Sequence, residues 1–527
     1  MKQFMNLRMC ALGLMLSAGT MIFAQDAPIF TPYYKYRVTL KDKKKSEYSV
    51  KHPEAFLSQR AIERRKKQKI KIDVTDLPVN RNYINEIAAT GVKIVETSKW
   101  NNTVVVSTED TTVMDKVREL ACVKGILKVA TYTKPVKENP ADRHKLVEQK
   151  PENVSAVKVE DAQEPTDGAE KVDTLILDPN VELDQSVTIR IIKFLNANNK
   201  KFHPERSVDS SQPAPEEPYS YYGAGKHQIE QLNGVPLHDA GYKGQGMVIG
   251  IIDGGFYNAD IIPGLKSAKI LGTHDFVNPT SDIYNQQDHG MMVLSCIGAN
   301  EPGKMVGTAP EASFWLFRSE DGSSEQMIEE DNWAAAIEFA DSVGVDVVNT
   351  SLGYNNFDDK VTSVKYYELD GHTQLISNSA SMCAEKGMIL VNSAGNSAGE
   401  PWKLITSPAD AENTLTVGAV EANGVNTNFS SLGNTADGRI KPDVMALGGM
   451  ASMHGSDGKV TKASGTSFAS PITCGMVTCL WQALPNLNAK QIMDLVRKAG
   501  NNASHPDNVY GYGIPDYEKA WKDGRNL

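Results

Sequence analysis

Four polar residues carry the chemistry this sequence offers: Asp253, His289, Asn396 and Ser467. Ser467 lies in the run Ala463-Ser464-Gly465-Thr466-Ser467-Phe468-Ala469-Ser470-Pro471. Small residues there let the backbone turn sharply just before a hydroxyl. Val477, Leu480, Trp481 and Leu484 then recur at helical spacing. A serine at a helix start has backbone N–H groups and the positive end of the helix dipole beside it, both suited to an oxyanion. Its hydroxyl stays a weak nucleophile until a base takes the proton. His289 stands between Asp288 and Gly290, ahead of a helix-like apolar run, and Asp253 follows the apolar run ending Ile251-Ile252. Alone, each reads as a turn or capping residue. In the order Asp…His…Ser they supply an orienting carboxylate, a base and a nucleophile for acyl transfer. Asn396, in Ser393-Ala394-Gly395-Asn396-Ser397, adds an amide donor for the developing oxyanion.

The elements that must position these groups are legible from about Gly223 onward. The runs 247–252, 313–317, 345–349, 388–392 and 415–418 are continuously apolar, as in parallel strands buried on both faces. Helical patterns over 291–298, 328–343 and 377–386 fall between several of them. The alternation predicts an α/β domain with a parallel sheet, helices on both faces and a crevice at the carboxyl ends of the strands. Asp253 and Asn396 follow two such ends.

The motifs resemble the subtilisin-like serine proteases over about residues 228–520. They are Ile251-Ile252-Asp253-Gly254-Gly255, Asp288-His289-Gly290, Ser351-Leu352-Gly353, Ala394-Gly395-Asn396 and Gly465-Thr466-Ser467-Phe468-Ala469-Ser470-Pro471. The resemblance implies a three-layer domain with a mainly parallel central sheet and serine endopeptidase activity. Asp253, His289 and Ser467 would form the triad, with Asn396 and the Ser467 N–H as oxyanion donors. Substrate would pair as an added strand with Ser351, Leu352 and Gly353. The segment Ser393–Ser397, including Ala394 and Gly395, would line the S1 pocket with Thr406 opposite. None of these is charged, so an uncharged, apolar P1 residue is expected. Two departures stand out: Gly290-Met291-Met292, where many relatives carry threonine and histidine after the glycine, and Gly254, where many have serine or threonine. The resemblance leaves structural calcium open without assigning its loops to residues here, and no cofactor or metal site is identified. The alternative to a protease is an inactive relative serving as a binding or structural module; the intact set of four residues argues against it. An α/β-hydrolase would place its nucleophile in Gly-x-Ser-x-Gly with the histidine last in the chain, whereas Ser467 is followed by Phe468-Ala469 and His289 precedes it.

The N-terminal half reads differently. Lys2 and Arg8, the apolar stretch 11–23 and Ala24 match a signal peptide over residues 1–24, which predicts export to the periplasm or beyond. The stretch is short for a retained membrane span. Residues 25–135 alternate strands (36–40, 92–95, 103–106, 126–129) with helices (53–68, 111–122), giving a small α/β domain. The resemblance implies that this is a propeptide acting as the intramolecular inhibitor of a zymogen. Residues 136–222 are rich in Glu, Lys, Pro, Asp and Ser and read as an acidic linker or insertion holding the activation cleavage. Within it, 187–195 is apolar enough for a strand or short helix. The peptidase domain occupies 223–527.

The net charge of −10 over 527 residues argues against a nucleic-acid partner; the resemblance implies peptides or proteins as substrates. The one basic run, Arg64-Arg65-Lys66-Lys67-Gln68-Lys69, is expected to be a solvated helix face. Of six cysteines, Cys10 lies in the leader. Cys122, Cys296, Cys383, Cys474 and Cys479 show no zinc spacing and are expected to be small buried hydrophobes, with a single disulfide left open.

Overall fold

The computed structural model describes residues 30–135, 185–197 and 221–527. The expected leader and the expected activation region, apart from 185–197 and 221–222, lie outside the described residues. The first unit is a four-stranded sheet in the order β2-β3-β1-β4, built from β1 (Phe30–Leu40), β2 (Lys93–Ser98), β3 (Thr103–Thr108) and β4 (Val123–Pro135). Strand β1 is antiparallel to both β3 and β4. Alternate residues Val38 and Leu40, and Val104 and Val106, turn to one face. There they pack on Ile84 and Ile87 of α2 (Arg81–Ala88) and Val117 of α3 (Val113–Glu119). The helix expected over 53–68 is interrupted. A 3-10 turn at Pro53–Ala55 is followed by α1 (Gln59–Lys67), because Ser58 caps the latter by accepting a 3.2 Å bond from the Ala61 N–H.

The second unit holds a seven-stranded, all-parallel sheet in the order β13-β12-β11-β10-β5-β9-β6 among the described residues. Its strands are β5 (Val248–Asp253), β6 (Lys269–Asp275), β9 (Ser313–Arg318), β10 (Val347–Thr350), β11 (Ile389–Ser393), β12 (Thr414–Val420) and β13 (Val444–Leu447). Two small antiparallel pairs flank it: β7 (Asn300–Glu301) with β8 (Met305–Val306), and β14 (Ala451–His454) with β15 (Val460–Ala463). Each central strand buries both faces, which is why its sequence is continuously apolar. Ile249, Ile251 and Val391 face one core with α7 (His289–Gly298) and α10 (Thr466–Ala483). Val248, Ile252 and Leu390 face the other with α8 (Ile328–Val343) and α9 (Leu375–Met382). Short helices α5 (Lys226–Glu230) and α6 (Val235–Asp239) precede the sheet, and α11 (Ala489–Lys498) and α12 (Tyr517–Gly524) follow it. The 187–195 stretch is helical, within α4 (Gln185–Ala197).

The two units meet along α8, all of whose residues are buried. Arg37 grips Asp331 with two 2.6 Å bonds. Glu338 accepts from the Ser98 hydroxyl (2.5 Å) and from the Lys99 and Trp100 N–H groups (2.6 and 3.0 Å). The expectation of a solvated basic face on α1 is overturned for its first two cations. Arg64 and Arg65 are buried against Asp341, and Arg65 also bonds Asp76. Arg60, one turn earlier, pairs with Asp346. Asp341 and Asp346 come from more than 270 residues along the chain, so nothing local betrays them. Lys66, Lys67 and Lys69 do stay exposed. The five cysteines are all buried and unpaired, so no disulfide forms among them.

Candidate active site

Asp253 ends β5 at the carboxyl edge of the sheet and is wholly buried. Its Oδ1 accepts from the Gly254 N–H and meets His289 Nδ1, both at 2.8 Å. His289 opens α7, where the next residue must be small. A Cβ on Gly290 would lie 2.4 Å from the Gly255 carbonyl oxygen and 2.8 Å from the Asp253 Cβ. The Asp288 side chain makes no capping bond. Met291 and Met292 pack into the core, as their apolar character predicts. Burial opposes charge on the imidazole. The Asp253 charge and hydrogen bond, with Asp288 and Glu320 nearby, outweigh it and raise the His289 pKa above the ordinary 6.5. Asp253 Oδ2 is buried without a hydrogen-bond partner, and Gly254, beside it, has no side chain to offer one.

Ser467 is the second residue of α10, behind the cap residue Gly465. Pro471, four residues on, has no N–H for the Ser467 carbonyl. The Ser351 hydroxyl donates to that carbonyl instead, at 2.9 Å. Ser351 is held in turn by Asn349 Nδ2 (3.2 Å), and Asn349 accepts from the Ser470 hydroxyl (2.8 Å). The Ser467 hydroxyl donates to the Ser351 carbonyl at 3.4 Å.

Asn396 lies just beyond β11. Its Oδ1 accepts from the Thr466 N–H and hydroxyl, both at 2.9 Å, which turns the amide NH2 away from the helix. Gly395 takes φ +106°, and a Cβ there would lie 2.8 Å from the Ser431 hydroxyl.

One cleft of about 660 Å³ gathers Asp253, His289, Asn396 and Ser467 with Ser351, Leu352, Gly353, Gly395 and Thr406. Beyond Gly353 the chain pairs backbone to backbone with Ser407 through Tyr354. Ala394 departs from the expected set: its side chain is fully buried in the core, leaving Ser393 and Gly395 to face the cleft.

The sequence reading missed one wall altogether. Glu320, Asp321, Glu325 and Glu329 line the same cleft, and no lysine or arginine does so among the described residues. Glu320 accepts from the buried Tyr354 hydroxyl and from the Ser319 hydroxyl. Burial nonetheless pushes its carboxyl up to about 8. The Glu320-Asp321 pair, three residues past the end of a predicted strand, was the available signal.

Two family models and several curated proteins match this chain. Residues 244–513 match the model described as "Subtilase family", and residues 35–146 match "Peptidase S8 propeptide domain, Bacteroidota". The chain is 26% identical over 307 residues to serine protease AprX of Bacillus subtilis (strain 168), covering 53% of this chain and 66% of that one. It is 28% identical over 300 residues to subtilisin DY of Bacillus licheniformis, covering 54% and 97%. It is 27% identical over 272 residues to the thermophilic serine proteinase of Bacillus sp. (strain AK1), covering 51% and 60%. The match thus spans a little under two thirds of the first and third relatives and nearly all of the second. Among the described residues no helix is long and apolar enough to cross a membrane.

Proposed function

Because this chain belongs to the subtilase family, we propose that it is an exported serine endopeptidase, made as a zymogen, that works through Asp253, His289 and Ser467. The observation that carries this reading is the 2.8 Å Asp253–His289 contact on the same cleft as a serine at a helix N-terminus. Asp253 holds the proton on Nδ1, which leaves Nε2 as the base. Rotation of the Ser467 hydroxyl away from the Ser351 carbonyl aims it at that nitrogen. Oγ bonds to the substrate carbonyl carbon while Nε2 takes its proton, and the displaced electron pair settles on the carbonyl oxygen. The Asn396 amide and the Ser467 N–H receive that oxyanion. On collapse the C–N bond breaks and His289 returns the proton to the leaving amine. Water then repeats the sequence on the acyl-enzyme and frees Ser467.

Residues 30–135 act as the inhibitory propeptide. Their docking along α8 supports this, as does the 2.7 Å bond from the Thr131 N–H of β4 to Gln326, one residue past the Glu325 that lines the cleft. The Ser467→Ala variant tests the mechanism on casein. In a subtilisin, loss of this serine costs about a millionfold in kcat. Undiminished digestion by the variant would overturn the assignment, whereas no digestion by the native chain freed of residues 30–135 would favour the inactive-module reading.

A further inference from the structure

Helix α4 belongs to neither matched region: it falls between residues 146 and 244. It is nevertheless wedged where the two units meet. Ile191, Ile192 and Leu195 join one buried cluster with Trp100 of the first unit and Phe276, Trp333 and Phe339 of the second. Ile189 enters a different cluster, with Phe56, Leu57, Ala61 and Leu77 of the first unit alone. Arg190, Lys193 and Ala197, at helical spacing, face outward. One short helix therefore buries side chains in both partners at once.

Its ends are fastened by polar bonds to the first unit. Gln185 Nε2 donates to the Val79 carbonyl at 2.6 Å. Asn196 reads three backbone groups: its Oδ1 accepts from the Gln59 N–H at 2.7 Å, and its Nδ2 donates to the Glu54 and Leu57 carbonyls at 3.2 and 3.3 Å. These groups bracket the start of α1, the helix that carries Arg60, Arg64 and Arg65 into the seam. A solvated linker would not satisfy three backbone groups with one amide or bury four aliphatic side chains.

We propose that α4 is a clasp, a second part of the inhibitor outside the propeptide domain, that keeps residues 30–135 seated on the catalytic domain after the connecting chain is cut. The proposal rests on the reading of 30–135 as an inhibitory propeptide. A cut before residue 185 leaves α4 tethered to the catalytic domain, and a cut after residue 197 leaves it tethered to the propeptide. In both cases it still spans the seam, so a single cleavage does not set the cleft free. Release becomes slow, and its rate depends on α4.

The test uses the full chain in four forms: native, Asn196→Ala, Ile192→Ala, and Arg64→Ala as a seam variant outside α4. Two quantities are followed after purification: the rate at which activity on a fluorogenic peptide appears, and the propeptide fragment that co-elutes with the catalytic domain on gel filtration. Each α4 variant is expected to release the fragment and gain activity about tenfold faster or more, with final activity per active site unchanged. If Arg64→Ala accelerates release while both α4 variants behave as native, the clasp is wrong and the propeptide reading stands. If no variant changes either quantity, or the native complex is fully active with its fragment bound, the inhibitory reading falls and the clasp falls with it. Melting curves of the same substitutions on a Ser467→Ala background separate slow folding from fast release.

Discussion

Ser351 and Ser467 hold each other from both sides: the Ser351 hydroxyl donates to the Ser467 carbonyl, and the Ser467 hydroxyl donates to the Ser351 carbonyl. The first bond replaces the helical one that Pro471 cannot make. The second is the bond that the proposed mechanism has the hydroxyl leave as it turns toward His289. Ser351→Ala leaves the carbonyl short of a donor, a cost of about 1–3 kcal/mol. The expected outcome is a kcat about tenfold lower with KM little changed, read by steady-state kinetics. Adding Pro471→Ala restores an N–H four residues on, and kcat should recover in part. A Ser351→Ala enzyme with native kcat would remove the carbonyl from the argument.

The acid side of the pH profile follows from His289. Negative neighbours favour the imidazolium and outweigh burial, so the group stays protonated, and inactive as a base, to a higher pH than an ordinary histidine. The limb of kcat/KM should therefore lie above pH 6.5. Asp288→Asn removes one of those charges and should move the limb to lower pH. A limb that stays put would show that Asp288 does not reach the imidazole.

Glu320 predicts a dependence of stability on pH. Its folded pKa, raised to about 8 by burial, lies above the unfolded value, so the folded protein binds a proton that the unfolded chain gives up. The resulting penalty is small below the ordinary 4.5, grows as pH rises, and is complete above about 8. Glu320→Gln should raise Tm at pH 9 and change it little at pH 4, as differential scanning calorimetry at the two pH values would register.

The carboxylate wall of the cleft bears on substrate choice. Ser393, Gly395 and Thr406 give the expected S1 region no charge, whereas Asp321 and Glu325 border the cleft elsewhere. A cationic side chain should therefore be favoured at a substrate position other than P1. Asp321→Asn with Glu325→Gln should lower kcat/KM roughly tenfold for peptides carrying such a lysine or arginine. Apolar peptides should be unaffected, and library profiling would expose equal losses on both classes.

Asp341 sits under Arg64, Arg65 and Lys99 at the seam. Asp341→Asn leaves those cations without their shared counter-charge, and breaking a buried pair of this kind costs about 3–5 kcal/mol. The uncut Ser467→Ala chain should melt earlier with that change, and the cleavable chain should become active sooner. Native melting would mean that Asp76 and Asp346 suffice.

The peptidase half was legible because its information is local. The five central strands β5, β9, β10, β11 and β12 show as apolar runs, whereas the edge strands β6, with Lys269, Thr273, His274 and Asp275, and β13, only four residues long, carry no such signal; Asp253, His289 and Ser467 each sit where a strand or helix pattern changes. What could not be read depends on partners distant in sequence. The arginines of α1 looked solvated because Asp341 and Asp346 follow them by more than 270 residues. Glu320 went unread because the hydroxyl it accepts from belongs to Tyr354, 34 residues further on. The apolar stretch in α4 announced that it would be buried but not against what. Ala394 was drawn into the expected pocket by its neighbours, although the strand alternation that faces Ser393 and Gly395 outward turns its methyl inward.

The five buried thiols carry a last consequence. Burial raises the pKa of every one, so none is a ready thiolate and none has a partner to oxidise with. A chain built this way folds with the same connectivity in a reducing cytosol and in an oxidising exterior. Its delivery to any compartment can be uncoupled from disulfide catalysts, and reductants that dismantle disulfide-stapled proteases should leave this one standing.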